Sequence, residues 1–480
     1  MNKSFILSCA VTLALSLSGC VSLAPKVPAA QPDVPASWPL PEKSGAPDAS
    51  APAGSQGRTA DIGWRQFYVD PRLSALIEQA LHNNRDLRVA VLNVEKARAQ
   101  YRIQRADRLP SIAATASLQR SRDINQPQPI TQQYRAELGT TQFELDLFGR
   151  VASLSTGALE RYLAEGEASR SAQLSLIAEV ANAWLTLAAD RESLKVAQAT
   201  RDTQEASFKL TEQRHALGAA SSLDVSQAQT TVETARADMA RYTGQVAQDI
   251  NALRLLAGGA LDEALLPTGL GDDATMLGAL PAELPSDVLL RRPDILQSEH
   301  LLRAANADIG AARAAFFPSI LLTGSVGTAS GQLNNLFDSG THVWSFAPQI
   351  SLPIFQGGRL RAQLAGAKAD QQIALAQYEK AIQAGFREVA DALALTSTLA
   401  GQRQAQEALV GAAARADELS RARYKAGKDS YLVALDAQRA LYAAQQQLIA
   451  TRLAEQTNRV TLYKVLGGGW NERSPIPGTP

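Results

Sequence analysis

The sequence has 480 residues, of which 47 are basic and 47 are acidic, so its formal net charge at neutral pH is zero. This balance gives no reason to expect nucleic acid or another strongly charged partner. Apolar residues make up 45% of the chain, which is enough to bury a sizeable core. After residue 19 no stretch looks long and apolar enough for a transmembrane helix, so a membrane crossing by this chain is expected to use strands.

The N-terminus has the pattern of an export signal. Lys3 precedes an apolar run that is too short to span a bilayer and that ends in LSGC at residues 17–20. This tetrapeptide resembles the lipobox of bacterial lipoproteins, which implies a signal peptide at 1–19 and a lipidated Cys20 at the mature N-terminus. The second cysteine of the chain, Cys9, lies inside the signal, so no intramolecular disulfide is expected. The alternative is an ordinary signal peptide with an incidental cysteine. Val21 after Cys20, in place of Asp, indicates sorting to the outer membrane by the same resemblance.

A segment rich in proline and alanine follows. Eight of the 22 prolines lie between residues 21 and 60. We therefore expect residues 20–60 to form an extended, lipid-anchored tether and not a folded element. Order is expected from about Ile62, and Asp70-Pro71 is a helix start signal with proline in the first turn.

Two similar segments lie 209 residues apart, RHALGAASSLDVSQAQ from Arg214 and RYKAGKDSYLVALDAQ from Arg423. Other pairs keep an offset of 207 to 209 residues, such as LPSI at 109–112 and FPSI at 317–320. A constant offset over this length predicts a duplicated structural unit. We therefore expect a single domain at 61–470 built of two repeats at about 70–259 and 278–468, with a connector around 260–290 and a tail at 471–480.

Each repeat begins with a medium helix that stops before a proline, Pro110 or Pro318, and continues into a predicted strand hairpin at about 110–148 or 318–356. The alternation is clearest in 343–354, where Trp344, Phe346 and Ile350 fall on one face. A period of two with one apolar face is typical of a half-buried strand. It fits a soluble hairpin packed on a helix as well as a membrane barrel, whose signal per strand is weak.

The remainder of each repeat is predicted to be a helical hairpin, at about 151–257 and 359–466. No proline occurs in 151–266 or in 354–474. Two apolar seams run side by side along the helices, so each helix should have two helical neighbours, as in a wall. The first seam consists of Leu174, Ile177, Ala181, Trp184 and Ala188.

Gly218 and Gly427 supply the turns of these hairpins, with Ser221, Ser222, Asp429 and Ser430 as candidate caps of the returning helices. The outgoing helices, at about 152–216 and 360–425, should each be about 100 Å long. A helix of that length could reach across much of a periplasm. Four strands per chain are too few to close a barrel, so several copies are expected to contribute to one barrel.

Several motifs together resemble the TolC/OprM-type outer membrane factors, and specifically their lipoprotein, NodT-like branch. The resemblance covers the whole mature chain, and the motifs that carry it are LLRRPDILQSEHLLRAANADIGAARAAFFPS, ELDLFGR, EVADALAL, YLVALDAQRALY and LYKVLGGGW. It implies a mainly α fold with a membrane β-barrel: a homotrimer with a twelve-stranded β-barrel joined to a long α-helical coiled-coil barrel. It also implies an exit duct in the outer membrane, working with a periplasmic adaptor and an inner-membrane RND-type transporter.

The resemblance also implies roles for individual residues. The adaptor would dock at the tips, at Gly218, Ala219, Gly427 and Lys428. Leu432, Asp436 and Arg439 would constrict the periplasmic end as a gate that is closed at rest. Val433 stands where TolC has a second acid, which argues against a double acidic ring. Without the resemblance, Asp436 and Arg439 read as an ordinary surface pair on one helix face.

Other functions are weighed against this interpretation. The four histidines make no metal-ligand spacing, and neither GxSxG nor HExxH occurs, so we expect no enzyme. No cofactor is expected beyond the covalent diacylglycerol and N-acyl lipid on Cys20. A scaffold lipoprotein that only spans the periplasm remains an alternative. Multidrug efflux is the favoured function, with metal-ion efflux or type I protein secretion as alternatives, because the sequence does not identify the cargo.

Overall fold

The structure is a computed structural model that describes residues 22–32, 34–35, 38, 62–122, 130–271 and 286–468. The predicted signal peptide, Cys20 and the tail lie outside the described residues, as does much of the predicted tether and connector. Eight helices and four strands occur in the described ranges. In chain order they are α1 (Trp64–Phe67), α2 (Pro71–Asn83), α3 (Arg85–Ala106), β1 (Ala113–Arg122), β2 (Ile130–Leu145), α4 (Arg150–Ala216), α5 (Ser222–Ala257), α6 (Pro293–Ala314), β3 (Ser319–Ser330), β4 (His342–Ser351), α7 (Arg359–Lys425) and α8 (Tyr431–Val465).

The chain divides into two compact units. The sheet unit consists of Met1–Gln31, Leu92–Glu167 and Leu296–Lys380, and the hairpin unit consists of Pro32–Val91, Ala168–Ile295 and Ala381–Pro480. The sequence predicts a single domain over 61–470. The chain is continuous through both units, because α3, α4, α6 and α7 each contribute residues to both.

The sheet unit contains one antiparallel sheet with the strand order β1-β2-β3-β4. Its register divides the side chains between two faces, because alternate residues point to opposite sides. Across the sheet, Leu138 on β2 pairs with Val326 on β3, which pairs with Trp344 on β4. This face is apolar across the middle of all four strands, and it becomes polar toward the β1–β2 loop, where Arg120 pairs with Gln132. Its residues include Ala114, Ala116, Leu118, Ala136, Leu138, Ile320, Leu322, Val326, Trp344, Phe346 and Ile350.

The opposite face of the sheet is polar. Arg135 donates to Glu137 at 2.9 Å, and the hydroxyls of Ser325 and Ser345 lie 2.8 Å apart. This face is also crowded at its glycines: a Cβ on Gly139 would lie 2.4 Å from the Gly324 carbonyl oxygen, and one on Gly327 would lie 2.1 Å from the Ala136 carbonyl oxygen. Glycine at such points in a strand marks a bulge, a tight bend or a close approach of two backbones, and we infer that the sheet bends with its polar face inward.

The hairpin unit is held by an apolar core around α4. Trp184, Ile177 and Leu187 on this helix are buried, as are Leu73 and Leu76 on α2. The first predicted seam is therefore buried, since all five of its residues are at most 7% exposed. The start of α2 follows from its sequence: Asp70 caps it by accepting from the amide of Arg72 at 2.8 Å, with Pro71 at the first position.

Among the described residues, α4 contains an 18-residue window with the length and composition of a membrane-spanning helix. The expectation that no such stretch follows residue 19 was therefore wrong. The window is 61% buried within the structure, as is usual for a core helix of a folded protein. Burial of the apolar face against other helices explains this composition without a membrane.

Candidate functional site at the hairpin tips

The two tips have the same backbone structure. Gly218 follows α4 with φ 73° and Gly427 follows α7 with φ 72°. In the first tip the amide of Gly218 donates to His215 and that of Ala219 to Arg214, and in the second those of Gly427 and Lys428 donate to Tyr424 and Arg423. This is the Schellman pattern, which satisfies carbonyls at a helix end and needs a residue in the left-handed region. Both tips are exposed.

The turn chemistry of the two tips differs where the returning helices begin. Ser221 accepts from the amide of Asp224 at 3.1 Å while Asp224 accepts from the amide of Ser221 at 2.9 Å, which makes a capping box on α5. Ser430 precedes α8 without such a side-chain bond. Asp429 does not cap α8 and instead accepts from two guanidinium nitrogens of Arg423, at 2.6 and 2.8 Å. These hydrogen bonds hold the pKa of Asp429 below its usual range.

Arg214 connects the two tips. Its guanidinium donates to the carbonyl oxygens of Tyr424 at 3.4 Å and Lys425 at 3.3 Å, in the last turn of α7. The same guanidinium lies 4.6 Å from the centre of the Tyr424 ring. A cation at a helix C-terminus is favourable because the last carbonyls are unsatisfied and carry partial negative charge. The equivalent arginine of the second repeat, Arg423, pairs with Asp429, so the repeats use one position in two ways.

The predicted gate residues lie together on the exposed face of α8. Leu432 is 48% exposed, and the side chains of Asp436 and Arg439 are 65% and 54% exposed. Tyr431 and Leu435 on the same turns are buried, so the two faces of α8 are distinct. Within one chain the Arg439 guanidinium lies 3.8 Å from the Asp436 carboxylate, which is a loose pair on a solvated surface.

Further along α8 than the gate residues, two hydrogen bonds, here called the ladder, join α5 to α8. The hydroxyl of Tyr442 donates to Asp238 at 3.0 Å, and one turn further the hydroxyl of Tyr242 donates to Gln446 at 2.6 Å. Burial and the neighbouring Asp238 carboxylate raise the pKa of Tyr442. Sequence analysis missed this ladder. Its signal was weak: two tyrosines in helices that are otherwise rich in alanine and glutamine.

The described residues contain no group of three or more His, Cys, Asp or Glu side chains that could hold a metal ion. Three of the four histidines have other partners. His82 and His215 bond to the carbonyls of Glu78 and Ala220, and His300 lies 2.7 Å from Glu160. The exposed turns at the tips offer a surface to which a partner could bind. The charged and apolar side chains on the exposed face of α8 could form a constriction.

Comparison with known proteins identifies the family. The model of the outer membrane efflux protein family matches residues 76–259 and 284–468, one match in each repeat. The chain is 50% identical to the antibiotic efflux pump outer membrane protein ArpC of Pseudomonas putida, over 99% of this chain and 97% of that protein. It is 44% identical to the outer membrane protein OprJ of Pseudomonas aeruginosa, over 96% of each chain.

Solved structures give the same result. The open state of the MtrE outer membrane channel of Neisseria gonorrhoeae superposes with a TM-score of 0.84 at 39% identity, covering 94% of this chain and 99% of that one. CusC superposes with a TM-score of 0.83 at 38% identity, covering 94% and 100%. The fold class expected from the sequence is confirmed, and the chain belongs to the outer membrane efflux protein family.

Proposed function

We propose that this chain is the outer-membrane exit duct of a tripartite efflux pump and that three copies form the duct. The observation that carries the proposal is the sheet, which has an apolar face and an opposite polar face that is crowded at its glycines. A sheet of this kind closes into a barrel that faces lipid outside and water inside. We infer no catalytic step for a duct that conducts passively.

The edges of the sheet support the assembly. Among the described residues, neither β1 nor β4 has a second neighbouring strand, and the side chains of β1 are exposed along its whole length. Unpaired strand edges are not tolerated in lipid, because no water is present to satisfy them. Four strands from each of three copies give twelve, which is enough to close a barrel around an aqueous channel.

The helical hairpins support the second half of the proposal. Helices α4 and α7 each have 67 residues, a length of about 100 Å, so they could carry the duct far into the periplasm. We propose that the tips, with Gly218, Ala219, Gly427 and Lys428, receive a periplasmic adaptor, which in turn joins an inner-membrane RND-type transporter. Cys20 is proposed to carry the diacylglycerol and N-acyl lipid in the outer membrane.

The proposed cargo is a range of drugs and other small molecules. Relatives of this chain are described as antibiotic and toluene efflux pump outer membrane proteins, ArpC and TtgC of Pseudomonas putida. Metal-ion efflux and type I protein secretion remain the alternatives. Deleting the chromosomal copy and measuring susceptibility to antibiotics, toluene and metal salts separates drug efflux from metal-ion efflux, because only the true cargo class becomes more toxic.

The gate proposal assigns roles to Leu432, Asp436 and Arg439. Around a threefold axis the Asp436 carboxylates would repel one another, and Arg439 would compensate that charge and link neighbouring chains. Leu432 would add an apolar ring that resists wetting. The gate would be closed at rest and would open when the adaptor moves the tips apart.

The test is single-channel conductance in planar bilayers. Replacing both Asp436 and Arg439 with alanine should raise the conductance of the resting channel several-fold. The control replaces Gln227 and Thr230, their counterparts in the first repeat, and should leave it near the wild-type value. Equal conductance for wild type and the gate variant would remove these residues from the gate, and no conductance at all would favour a scaffold over a duct.

A further inference from the structure

The first described residues of the chain do not hang free of the fold. Residues 22–31, here called the strap, lie along α6 and α7 within the sheet unit. The carbonyl of Leu23 accepts from Arg313 at 3.0 Å, that of Pro25 accepts from Asn306 at 2.8 Å, and the amide of Gln31 donates to Glu379 at 3.1 Å. The strap is thus fixed by side chains from two helices.

The surface of α6 beneath the strap leaves room for it at Gly310. Gly310 is the point of closest approach: a Cβ there would lie 2.9 Å from the Ala24 amide nitrogen and 3.0 Å from the Ala24 Cβ. It would also lie 2.8 Å from the hydroxyl of Ser153 on α4. No other residue type fits without a shift of the strap or of Ser153.

A buried side chain depends on the strap. Asn306 is 5% exposed, its amide nitrogen donates to Pro25, and its amide oxygen accepts from Gln371 on α7 at 2.5 Å. A buried amide is unfavourable unless its polar atoms are paired. The strap therefore completes a polar contact between α6 and α7.

The direction of the strap gives it a further role. Its first contact, Leu23 with Arg313, lies in the last turn of α6, six residues before β3 begins at Ser319. Its next contact, Pro25 with Asn306, lies two turns further from the strands. The strap therefore enters the fold at the sheet end of α6, and only one residue, Val21, separates Ser22 from Cys20, a span of about 7 Å.

We propose that docking of the strap on α6 fixes the height at which the lipid anchor leaves the protein, so that the acyl chains and the apolar face of the sheet enter the same membrane in register. Gly310, Asn306 and Arg313 are the positioning residues for this docking. The inference rests on the proposed lipid anchor at Cys20. The segment that occupies this docking site is the chain's own N-terminus, which would carry the lipid.

The docking is tested by trypsin cleavage after Lys26, in the purified full-length protein in detergent. Cleavage needs the strap to leave its groove, so the wild-type protein should be cut slowly. Gly310→Val and Arg313→Met should each be cut at least about tenfold faster. The matched control is Gly366→Val on α7, where a Cβ would meet nothing within 4 Å, and its rate should equal that of wild type. Equal rates in all four proteins would overturn the docking.

The register is tested by inserting ten Gly and Ser residues between Val21 and Ser22, which separates the anchor from the strap. This variant should reach the membrane-inserted form several-fold less efficiently than wild type, as should Cys20→Ser. The same insertion after Gly45, beyond the strap, should have no effect. Full insertion of the first variant would overturn the register.

Palmitate labelling of each variant distinguishes failure of the proposed lipid anchor from failure of the proposed role of the strap. Absence of label from the wild-type protein would refute the anchor itself, whereas normal label with unchanged insertion would refute only the strap's role.

Discussion

At the residue scale, Gly427 shows that a single backbone angle can favour glycine. Its φ of 72° lies in the left-handed region, yet a Cβ there would meet no atom within 4 Å. Gly427→Ala should therefore weaken the turn by about 1 kcal/mol through backbone strain alone. Gly427→Asn should weaken it less, because Asn tolerates this region better. The rate of trypsin cleavage after Lys428 measures local opening of the turn. Equal rates for the Ala variant and wild type would contradict the strain argument.

The tips also show which residue-scale features could be predicted. Gly218 and Gly427 were predictable, because a helix-breaking glycine within a proline-free helical pattern has a local signal. The pairing of Asp429 with Arg423, and not with the start of α8, was not predictable, because both roles suit an aspartate beside a turn. The ladder of Tyr442 with Asp238 depends on contact between residues 204 positions apart, which no local pattern encodes.

A second residue-scale prediction concerns Asp249 on α5. Burial and the neighbouring Asp190 carboxylate raise the pKa of Asp249 to about 6. Between about pH 4 and pH 6 the folded protein then holds a proton that the unfolded chain releases, so stability falls as the pH rises through this range and stays lower above it. Asp249→Asn should therefore stabilise the protein at pH 7 by roughly 1 kcal/mol after solvent screening, and much less at pH 4.

Thermal denaturation in detergent at the two pH values checks the Asp249 prediction. The control is Asp262→Asn, whose carboxylate caps a short turn by accepting from the amide of Ala264. That variant should gain no stability at pH 7. A gain from Asp249→Asn that is the same at both pH values would assign the effect to something other than titration.

At the element scale, the long helices were the most predictable part of the chain. The predicted outgoing helices at 152–216 and 360–425 compare with Arg150–Ala216 and Arg359–Lys425 in the structure. Absence of proline and two apolar seams are strong signals, because they persist over many turns. Strand β2 was harder, since its 16 residues include a glycine and several polar residues, and its register shifts between Thr140 and Phe143. The docking of the strap was not predictable from its own sequence, because its contacts are made by helices distant in the chain.

The curvature of the sheet gives a prediction about its glycines. Gly139→Val places a side chain on the crowded concave face, 2.4 Å from the Gly324 carbonyl oxygen at its Cβ alone, so the sheet should fail to close. Gly324→Val is the control, because a Cβ there has its nearest neighbour at 3.6 Å. The membrane-inserted fraction should fall several-fold in the first variant and remain close to wild type in the second. Normal insertion of Gly139→Val would show that the polar face is not the inside of the bend.

At the scale of the whole molecule, the proposed lipid anchor and the proposed assembly extend beyond what one folded chain contains. Cys20→Ser should abolish incorporation of radioactive palmitate, because Cys9 is removed with the predicted signal peptide and no other cysteine occurs in the sequence. A Ser22→Ala variant, which keeps the cysteine, should be labelled normally. Label in the Cys20→Ser protein would make the lipobox interpretation wrong.

The family could be predicted from the sequence because its motifs recur in both repeats, whereas the number of copies could not. The strand pattern indicates only that the four strands of one chain cannot close a barrel. The threefold assembly came from resemblance, since the residues that would pair β1 with β4 of another copy form ordinary strand edges. Substrate choice has no signal of its own in a duct whose described residues include no metal-binding cluster.

The equal lengths of α4 and α7 restrict how this protein can evolve. Both have 67 residues, although few of their residues are identical. Arg214 at one tip reaches carbonyls at the other, so the two tips must end level. Each residue inserted into one helix alone would advance its tip by about 1.5 Å and turn it by about 100°. Point substitutions can therefore accumulate independently in the two halves, whereas a gain or loss of length survives only when both halves change together.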